Sequence, residues 1–361
     1  MDFKLSVIIP TYNREYYLKK TINSVINQTI GFNNIELIII DDASTDNTRL
    51  IIEEYAKEYS NIKTKYLNKN TGYAGKPRNV GISLATSNYI MFLDSDDHFE
   101  KNACEILYER ISNEKADIVF GTYVFHKMGR IVDGTPEYFR NKGVLKFNPK
   151  NEEFLKVIEL LPSKISINIF SKKMIDKHGL KFPEGIPGQD SSFIIESFFN
   201  AKNIIYLTDF TVYNYVLHDG SVTTTININY FKGVFESEDY IFNIFKNEGK
   251  QEDYKYHLKR KINFFIKQLL SSDIEDKKDL NEVFDLFKDF FEKNSIYNIV
   301  LQDDLNELVF CSIKNKDING FFQLKNIYSK INGLLNQIAE LQTIKGWVNY
   351  KKSNLISRIK K

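Results

Sequence analysis

Cysteine is scarce: the 361 residues contain two, Cys104 and Cys311. They lie far apart, each in an apolar-periodic segment, which excludes a disulfide framework and a thiolate metal cluster. Two buried thiols in a reducing compartment are expected instead. Net charge is nearly absent too. Lys and Arg number 49 against 47 Asp and Glu, a formal +2, so no overall field favours a nucleic-acid partner. No apolar run approaches the ~18 residues of a membrane span. Met1 to Pro10 reads as a strand stopped by proline, not as a charged flank before a long apolar core. The expected location is therefore the cytoplasm. Repeats, low-complexity tracts and Pro-rich linkers are also lacking. Nothing matches Gly-x-x-x-x-Gly-Lys-Ser/Thr or a dinucleotide fingerprint, which removes the two commonest nucleotide cradles.

What the chain does have is apolar patterning: 42% apolar residues with 28 Phe and 21 Tyr, enough for a large core or two domains. Leu5-Ser-Val-Ile-Ile9, Glu36-Leu-Ile-Ile-Ile40, Ile62 to Leu67, Tyr89 to Leu93 and Ala116 to Phe125 read as strands. Between them Leu18, Ile22, Val25 and Ile26, then Ile52, Tyr55, Ala56 and Tyr59, and later Ala103, Ile106, Leu107 and Ile111 recur at helical spacing. Ser44 is the expected N-cap of the second helix. This alternation from Leu5 to Phe125 predicts a doubly wound α/β sheet with parallel strands, whose ligand crevice lies beyond the carboxyl ends of the strands.

Three strand ends carry chemistry. Tyr89 to Leu93 ends in Asp94, Asp96 and Asp97 with no Lys or Arg among them. Acids so close repel unless a positive group joins them, and a hard divalent cation carrying a phosphorylated ligand would serve. The alternative is that Asp96 or Asp97 caps the helix beginning near Glu100. Asp41-Asp42 ends its own strand, where a carboxylate can accept from a base N–H or a ribose hydroxyl, or simply face solvent. The segment holding Gly72, Gly75 and Gly81 places Arg78 just before a helix, and its fork of donors suits phosphate oxygens.

Five motifs follow one another in order: Val7-Ile-Ile-Pro-Thr-Tyr-Asn13, Ser24-Val-Ile-Asn-Gln-Thr29, Ile38-Ile-Ile-Asp-Asp-Ala-Ser-Thr-Asp46, Pro77-Arg-Asn-Val-Gly81 and Phe92-Leu-Asp-Ser-Asp-Asp97. With them the region from residue 5 to about 220 resembles the family 2 glycosyltransferases of the GT-A fold. Asn70-Thr-Gly-Tyr-Ala-Gly-Lys-Pro-Arg-Asn79 is most similar to the staphylococcal enzymes that put β-N-acetylglucosamine on the polyribitol phosphate of wall teichoic acid. The resemblance implies a Rossmann-like mixed sheet flanked by helices, a UDP-sugar donor, UDP-GlcNAc above others, and Mn²⁺ or Mg²⁺, with Mn²⁺ favoured. It implies that Pro10, Tyr12 and Asp42 line the uridine pocket and that Asn70 and Arg78 flank the nucleotide, Arg78 nearest the diphosphate. Asp94 would touch ribose or the transferred sugar, and Asp96 would be the metal ligand, leaving Asp97 to cap the next helix.

Sugar transfer also needs a proton acceptor on the face of the sugar opposite the departing diphosphate, which Asp94 and Asp96 cannot supply. Asp190, in Pro187-Gly-Gln-Asp-Ser-Ser-Phe193, matches the position of the family's general base. The family usually has Glu before this Asp, where Gln189 stands here. An N-cap is the alternative role for Asp190. Direct attack then inverts the anomeric carbon. His218 stands where related enzymes often offer a metal-binding His, or is a solvated loop residue. Glu184 and Thr223 to Thr225 are candidates for reaching the acceptor. The acceptor implied is an anionic surface polymer; a capsular polysaccharide or glycolipid acceptor, or a non-catalytic UDP-binding module, are the alternatives. A nucleotidyltransferase would need its Gly-rich loop after the first strand, where this chain has Pro10-Thr-Tyr-Asn-Arg14.

Beyond Tyr230 the pattern turns wholly helical, so residues 1–228 are expected as the catalytic domain and 229–361 as a helical domain for acceptor binding or oligomerisation. Its aromatic faces are Phe231, Val234, Phe235, Phe242 and Phe245, then Leu258, Ile262, Phe265, Ile266 and Leu269, then Leu280, Val283, Phe284, Phe287, Phe290 and Phe291. They read as core. Lys259, Arg260, Lys261 and Lys267 either hold polymer phosphates or are solvated. Leu324, Ile327, Ile331, Leu334, Ile338 and Leu341 form a heptad pattern, for packing within the chain or for a homo-oligomer. The basic and apolar tail from Lys345 to Lys361 either rests on an anionic inner leaflet or is a frayed helix.

Overall fold

The computed structural model describes residues 2–127, 130–134, 139–149, 164–216, 226–294, 304–334 and 337. Four parallel strands form one half of its sheet: β1 (Leu5–Thr11), β2 (Ile35–Asp41), β3 (Ile62–Tyr66) and β4 (Tyr89–Phe92), in the order β3-β2-β1-β4. Both β1 and β2 are buried at every position. Covered on both faces by helices, they read as continuous apolar runs, not as alternating ones. The connections contain α1 (Leu18–Ile26), α2 (Thr48–Glu58) and α3 (Gly75–Leu84).

The other half departs from simple alternation. After β5 (His98–Phe99) and α4 (Ala103–Glu114) come β6 (Ile118–Lys127), β7 (Arg130–Asp133), β8 (Val144–Phe147), β9 (Asn168–Ser171), α5 (Lys172–His178), α6 (Gln189–Asn200) and β10 (Ile204–Val216). β9 inserts antiparallel between β4 and β6, and β10 runs parallel to β6 while pairing antiparallel with β5 and β8. The sheet is therefore mixed, as the family resemblance implies. The wholly parallel sheet expected from the first alternation is corrected here: β6 does not follow β4, because a strand from far downstream lies between them.

Phe92 at the end of β4 packs edge-on against Phe170 of β9, Phe182 and Phe193 of α6, and Phe182 stacks on Phe193 at 4.0 Å. This aromatic cluster brings the start of α6 behind the end of β4. Two other expectations fail locally. Helix α2 starts at Thr48 after Asn47, and Ser44 instead accepts from Asn13 N–H at 2.9 Å. Cys104 is buried but Cys311 is exposed, since its neighbours Val309, Phe310 and Ile313 supply the inward face of their helix.

The helical part comprises α7 (Ile228–Asn247), α8 (Gln251–Ser271), α9 (Lys277–Lys293) and α10 (Asp304–Asn315), with residues 318–334 also helical. The chain divides into two compact units, Met1–Thr224 with Lys232–Leu258, and Thr225–Phe231 with Lys259–Lys361. Most of α7 thus groups with the α/β unit. The aromatic faces of α8 and α9 are buried as expected, and the Asp276 side chain caps α9 by accepting from Lys278 and Asp279 N–H. In residues 318–334 Phe321 is buried, whereas Ile327, Ile331 and Leu334 are exposed; Ile338, Leu341 and the tail from Lys345 lie outside the described residues. Among the described residues no helix is long and apolar enough to cross a membrane.

Candidate active site

Register sets the site. Thr11 pairs with Asp41 across β1 and β2, and Ile8 with Phe92 across β1 and β4. The loops carrying Tyr12, Asp42 and Asp94 therefore open along one sheet edge, the carboxyl edge where ligands collect in such sheets.

At one end of this edge Asp42, 4% exposed, accepts from Thr71 N–H at 3.0 Å, from Thr71 Oγ1 and from Asn70 Nδ2 at 3.3 Å. Thus the structure brings Asp42 and Asn70 together. Tyr12 is 40% exposed, in the loop after β1 that follows the buried Pro10. The neighbouring Asp41 accepts from Ser44 N–H, and burial raises its carboxyl above the ordinary range.

At the other end all three acids are hydrogen-bonded, Asp94 and Asp97 sharing the Tyr213 hydroxyl. Asp94 accepts from Arg78 Nη2 at 2.6 Å and from the Tyr213 hydroxyl at 3.2 Å. Asp96 accepts from Arg14 Nε at 3.1 Å. Asp97, buried, accepts from the Tyr213 hydroxyl and from Val216 N–H at 2.6 Å. Burial, with Asp96 and Asp94 adding their charge, pushes Asp97 up to about 8. The expected helix cap is corrected: α4 begins at Ala103 after Asn102, and Asp97 faces β10 instead.

Asp190, in the first turn of α6, pairs with Arg78 Nη1. Arg78, expected nearest the diphosphate, is 3% exposed and holds Asp94 and Asp190 at once. Burial raises the Asp190 carboxyl above its ordinary value; the Arg78 charge opposes this and Asp94 adds to it. The Asp190 side chain nevertheless keeps 27% of its surface open to solvent. Glu184 is exposed and accepts from Asn79 Nδ2. His218 and Thr223 to Thr225 lie outside the described residues.

Sequence reading missed Arg14, Tyr213 and Lys164. Arg14 carries a signal, since it sits in the loop after β1 at the ligand edge. Tyr213 carries none, because its place beside Asp94 and Asp97 follows from non-local strand pairing. Lys164 places its ammonium 3.5 Å from the centroid of the Tyr215 ring and draws on the Asp190 charge. For a cation, Asp96 offers a hard carboxylate, 16% exposed, with one oxygen on Arg14. Among the described residues no group of three or more His, Cys, Asp or Glu surrounds a common point. A cation at Asp96 would therefore have to share that carboxylate with Arg14.

Residues 6–178 match the family described as Glycosyl transferase family 2. The chain is 34% identical over 259 residues to the poly(ribitol-phosphate) beta-N-acetylglucosaminyltransferase TarP of Staphylococcus aureus, covering 69% of this chain and 76% of that protein. It is 30% identical over 225 residues to a poly(ribitol-phosphate) beta-glucosyltransferase of Bacillus spizizenii, covering 60% of this chain and 33% of that longer protein. The solved structure of S. aureus TarS 1–349 in complex with UDP-GlcNAc has the same fold, with a TM-score of 0.68 at 22% identity over 91% of this chain and 92% of that one. A shared fold alone leaves function open, but 34% identity covering more than two thirds of both this chain and TarP, with the match to the family itself, goes beyond fold, and the chain therefore belongs to the family 2 glycosyltransferases.

Proposed function

We propose that the protein is an inverting transferase that moves N-acetylglucosamine from UDP-GlcNAc to a hydroxyl of polyribitol-phosphate wall teichoic acid or a closely similar anionic polymer. The observation that carries the reading is Arg78 held between Asp94 and Asp190. In this reading it joins an acid that serves the donor to an acid that serves the acceptor through one buried cation. Asp190 takes the proton of the acceptor hydroxyl as its oxygen bonds to the anomeric carbon. The bond from that carbon to the diphosphate breaks at the same time, and UDP leaves with the electron pair. One displacement inverts the centre, so an α-linked donor gives a β-linked product.

Asp42, with Pro10 and Tyr12 beside it, is assigned to the uridine, Asn70 to fixing Asp42, and Asp94 to the ribose or the transferred sugar. Asp96, with His218 as a second ligand and the donor's phosphate oxygens, would hold Mn²⁺ or Mg²⁺; bound there, the ion would offset charge on the departing diphosphate. Arg78, assigned to the side of the nucleotide nearest the diphosphate, is held there by Asp94 and Asp190. Residues 1–228 carry the donor chemistry in this reading, and the helical part beyond them serves the acceptor or self-association, with Lys259, Arg260, Lys261 and Lys267 as phosphate partners at the inner face of the membrane.

The test is release of UDP from UDP-GlcNAc with and without purified polyribitol phosphate, with the product linkage read by NMR. Asp190→Asn is expected to bind UDP normally and lose transfer, and chelation of divalent ions to abolish transfer until Mn²⁺ is restored. UDP binding without transfer to any anionic polymer would make the protein a binding module. Full activity in excess chelator would remove the metal.

A further inference from the structure

We propose that α7 is a positioning element for the proton acceptor, and that Gly233 is the residue through which it acts. The inference rests on the assignment of Asp190 above and adds how that carboxylate is held. The loop before α6 has left-handed backbone at Gly185 and Gly188, with φ of 78° and 75°, so its course is set by what it lies against. On one side lies the start of α3. A Cβ on Gly75 would strike the Pro183 carbonyl and come within 2.5 Å of Gln189 Oε1. Arg78, one turn further along α3, pairs with Asp190. On the other side lies α7. A Cβ on Gly233 would come within 2.5 Å of Pro187 Cδ and 2.7 Å of its Cγ.

One turn beyond Gly233, Ser237 lies 2.8 Å from where a Gly188 Cβ would be, and its hydroxyl reaches Ser192 Oγ at 3.5 Å. Ser237 is 3% exposed and Ser192 fully buried. Glycine is among the poorest residues for a helix interior, and Pro187 supplies the physical reason for it within α7. The loop delivering Asp190 is thus gripped between α3 and α7, with Pro187 seated directly on Gly233.

Gly233→Ala would push the Pro187 ring back by about 1 Å, since carbon atoms pack at ~3.5–4.0 Å. A misplacement of about 1 Å at a reacting group can cost ~100-fold. Asp190 lies three residues beyond Pro187, so a fall in kcat of about 30-fold is expected. The donor KM and UDP affinity are expected to stay within about twofold, because Asp42 and Asn70 stand on other strand ends. Pro187→Ala deletes the ring atoms and leaves its nitrogen 3.9 Å from the added methyl. The double variant should recover to within about threefold of Pro187→Ala alone, the signature of two residues that act through one contact.

Melting temperature and UDP titration confirm folding of each variant. Should Gly233→Ala not fold, Ser237→Val, which adds a branch against Gly188, must show the same loss of kcat with UDP affinity kept. Unchanged kcat in the variant that folds, or a loss in Gly233→Ala that Pro187→Ala fails to relieve, overturns the proposal. Asp190→Asn measured alongside separates the two readings. If it is inactive while Gly233→Ala is not impaired, the positioning role alone falls; if it retains full kcat, the base assignment falls and the positioning role with it.

Discussion

Replacing Arg78 with glutamine tests the centre of the site most directly. The guanidinium is 3% exposed and shared by Asp94 and Asp190, whose side chains are 31% and 27% exposed. Removing one partner of a buried ion pair costs about 3–5 kcal/mol, mostly from the charge left behind. Because both carboxylates reach solvent and can take up a proton, about 3 kcal/mol is expected at neutral pH. The pH dependence has a definite sign. Burial already holds Asp190 above its ordinary 3.8, and Arg78 is the charge that opposes it. Without Arg78 the folded-state value rises further above the unfolded one. Stability contributed by a group raised in this way is present below the unfolded value and lost as pH climbs through the folded one. Arg78→Gln should therefore lie near wild type around pH 4 and fall progressively behind it towards pH 8, and the acid limb of kcat/KM should move to higher pH. Urea unfolding at a series of pH values, with UDP release in the same buffers, measures both. A deficit below about 1 kcal/mol at pH 8, or one that does not grow with pH, would refute the shared-cation reasoning.

Three further outcomes follow from contacts around the site. Tyr213→Phe removes the hydroxyl between Asp94 and Asp97 from a fully buried position, and should cost about 1–3 kcal/mol in urea unfolding together with a lower kcat; wild-type values for both would sink that role. Thr21→Val removes the buried hydroxyl that reaches the Ser95 and Asp97 carbonyls at 3.0 and 2.8 Å, and should weaken UDP binding by calorimetry while costing about 1 kcal/mol of stability. Glu36 is fully buried at the opposite edge of the sheet. Burial opposes its ionisation, but hydrogen bonds from Lys63, Ser6 and Thr86 outweigh this and hold it below its ordinary 4.5. That contribution is present above 4.5 and lost as pH falls through the lower folded value, so wild type should lose melting temperature in acid more steeply than Glu36→Gln; parallel curves would contradict it.

The sequence was informative where one segment alone determines its structure. Val7 to Ile9, Leu37 to Ile40 and Ile90 to Leu93 are apolar runs because both faces of a central parallel strand are covered, and the acids that stop the second and third mark the ligand edge. Asp42, Asp94 and Asp96 were legible for that reason. Partnership between distant segments was not. Periodicity does not mark the four residues Asn168 to Ser171 as a strand, still less that they insert between β4 and β6. The same holds for Tyr213, which meets Asp97 across strands more than a hundred residues apart in sequence. Arg78 looked like a phosphate ligand because a guanidinium fork suits phosphate and carboxylate alike, and sequence spacing does not reveal that Asp190 faces it. Cys311 and Ser44 failed on a smaller scale, by one helix face and one turn.

Three acids stand within four residues, and the elements around them explain how the fold accommodates them. The turn after β4 closes with Asp97 N–H on the Asp94 carbonyl at 3.2 Å, and Asp94 and Asp97 both reach the Tyr213 hydroxyl. Thr21 of α1 pins the turn from beneath through the Ser95 and Asp97 carbonyls. Asp94 then meets the guanidinium from α3 and shares the Tyr213 hydroxyl of β10 with Asp97, which also accepts from the Val216 amide, while Asp96 meets the Arg14 side chain from the loop after β1. Two of the three meet a cation, and burial disfavours charge on the third. The acids can therefore sit together in the folded chain on the strength of its own side chains. In the function proposed above, a donor diphosphate would then enter a site that is already assembled, which suits a reaction whose barrier depends on fixing the leaving group and the proton acceptor on opposite sides of one carbon.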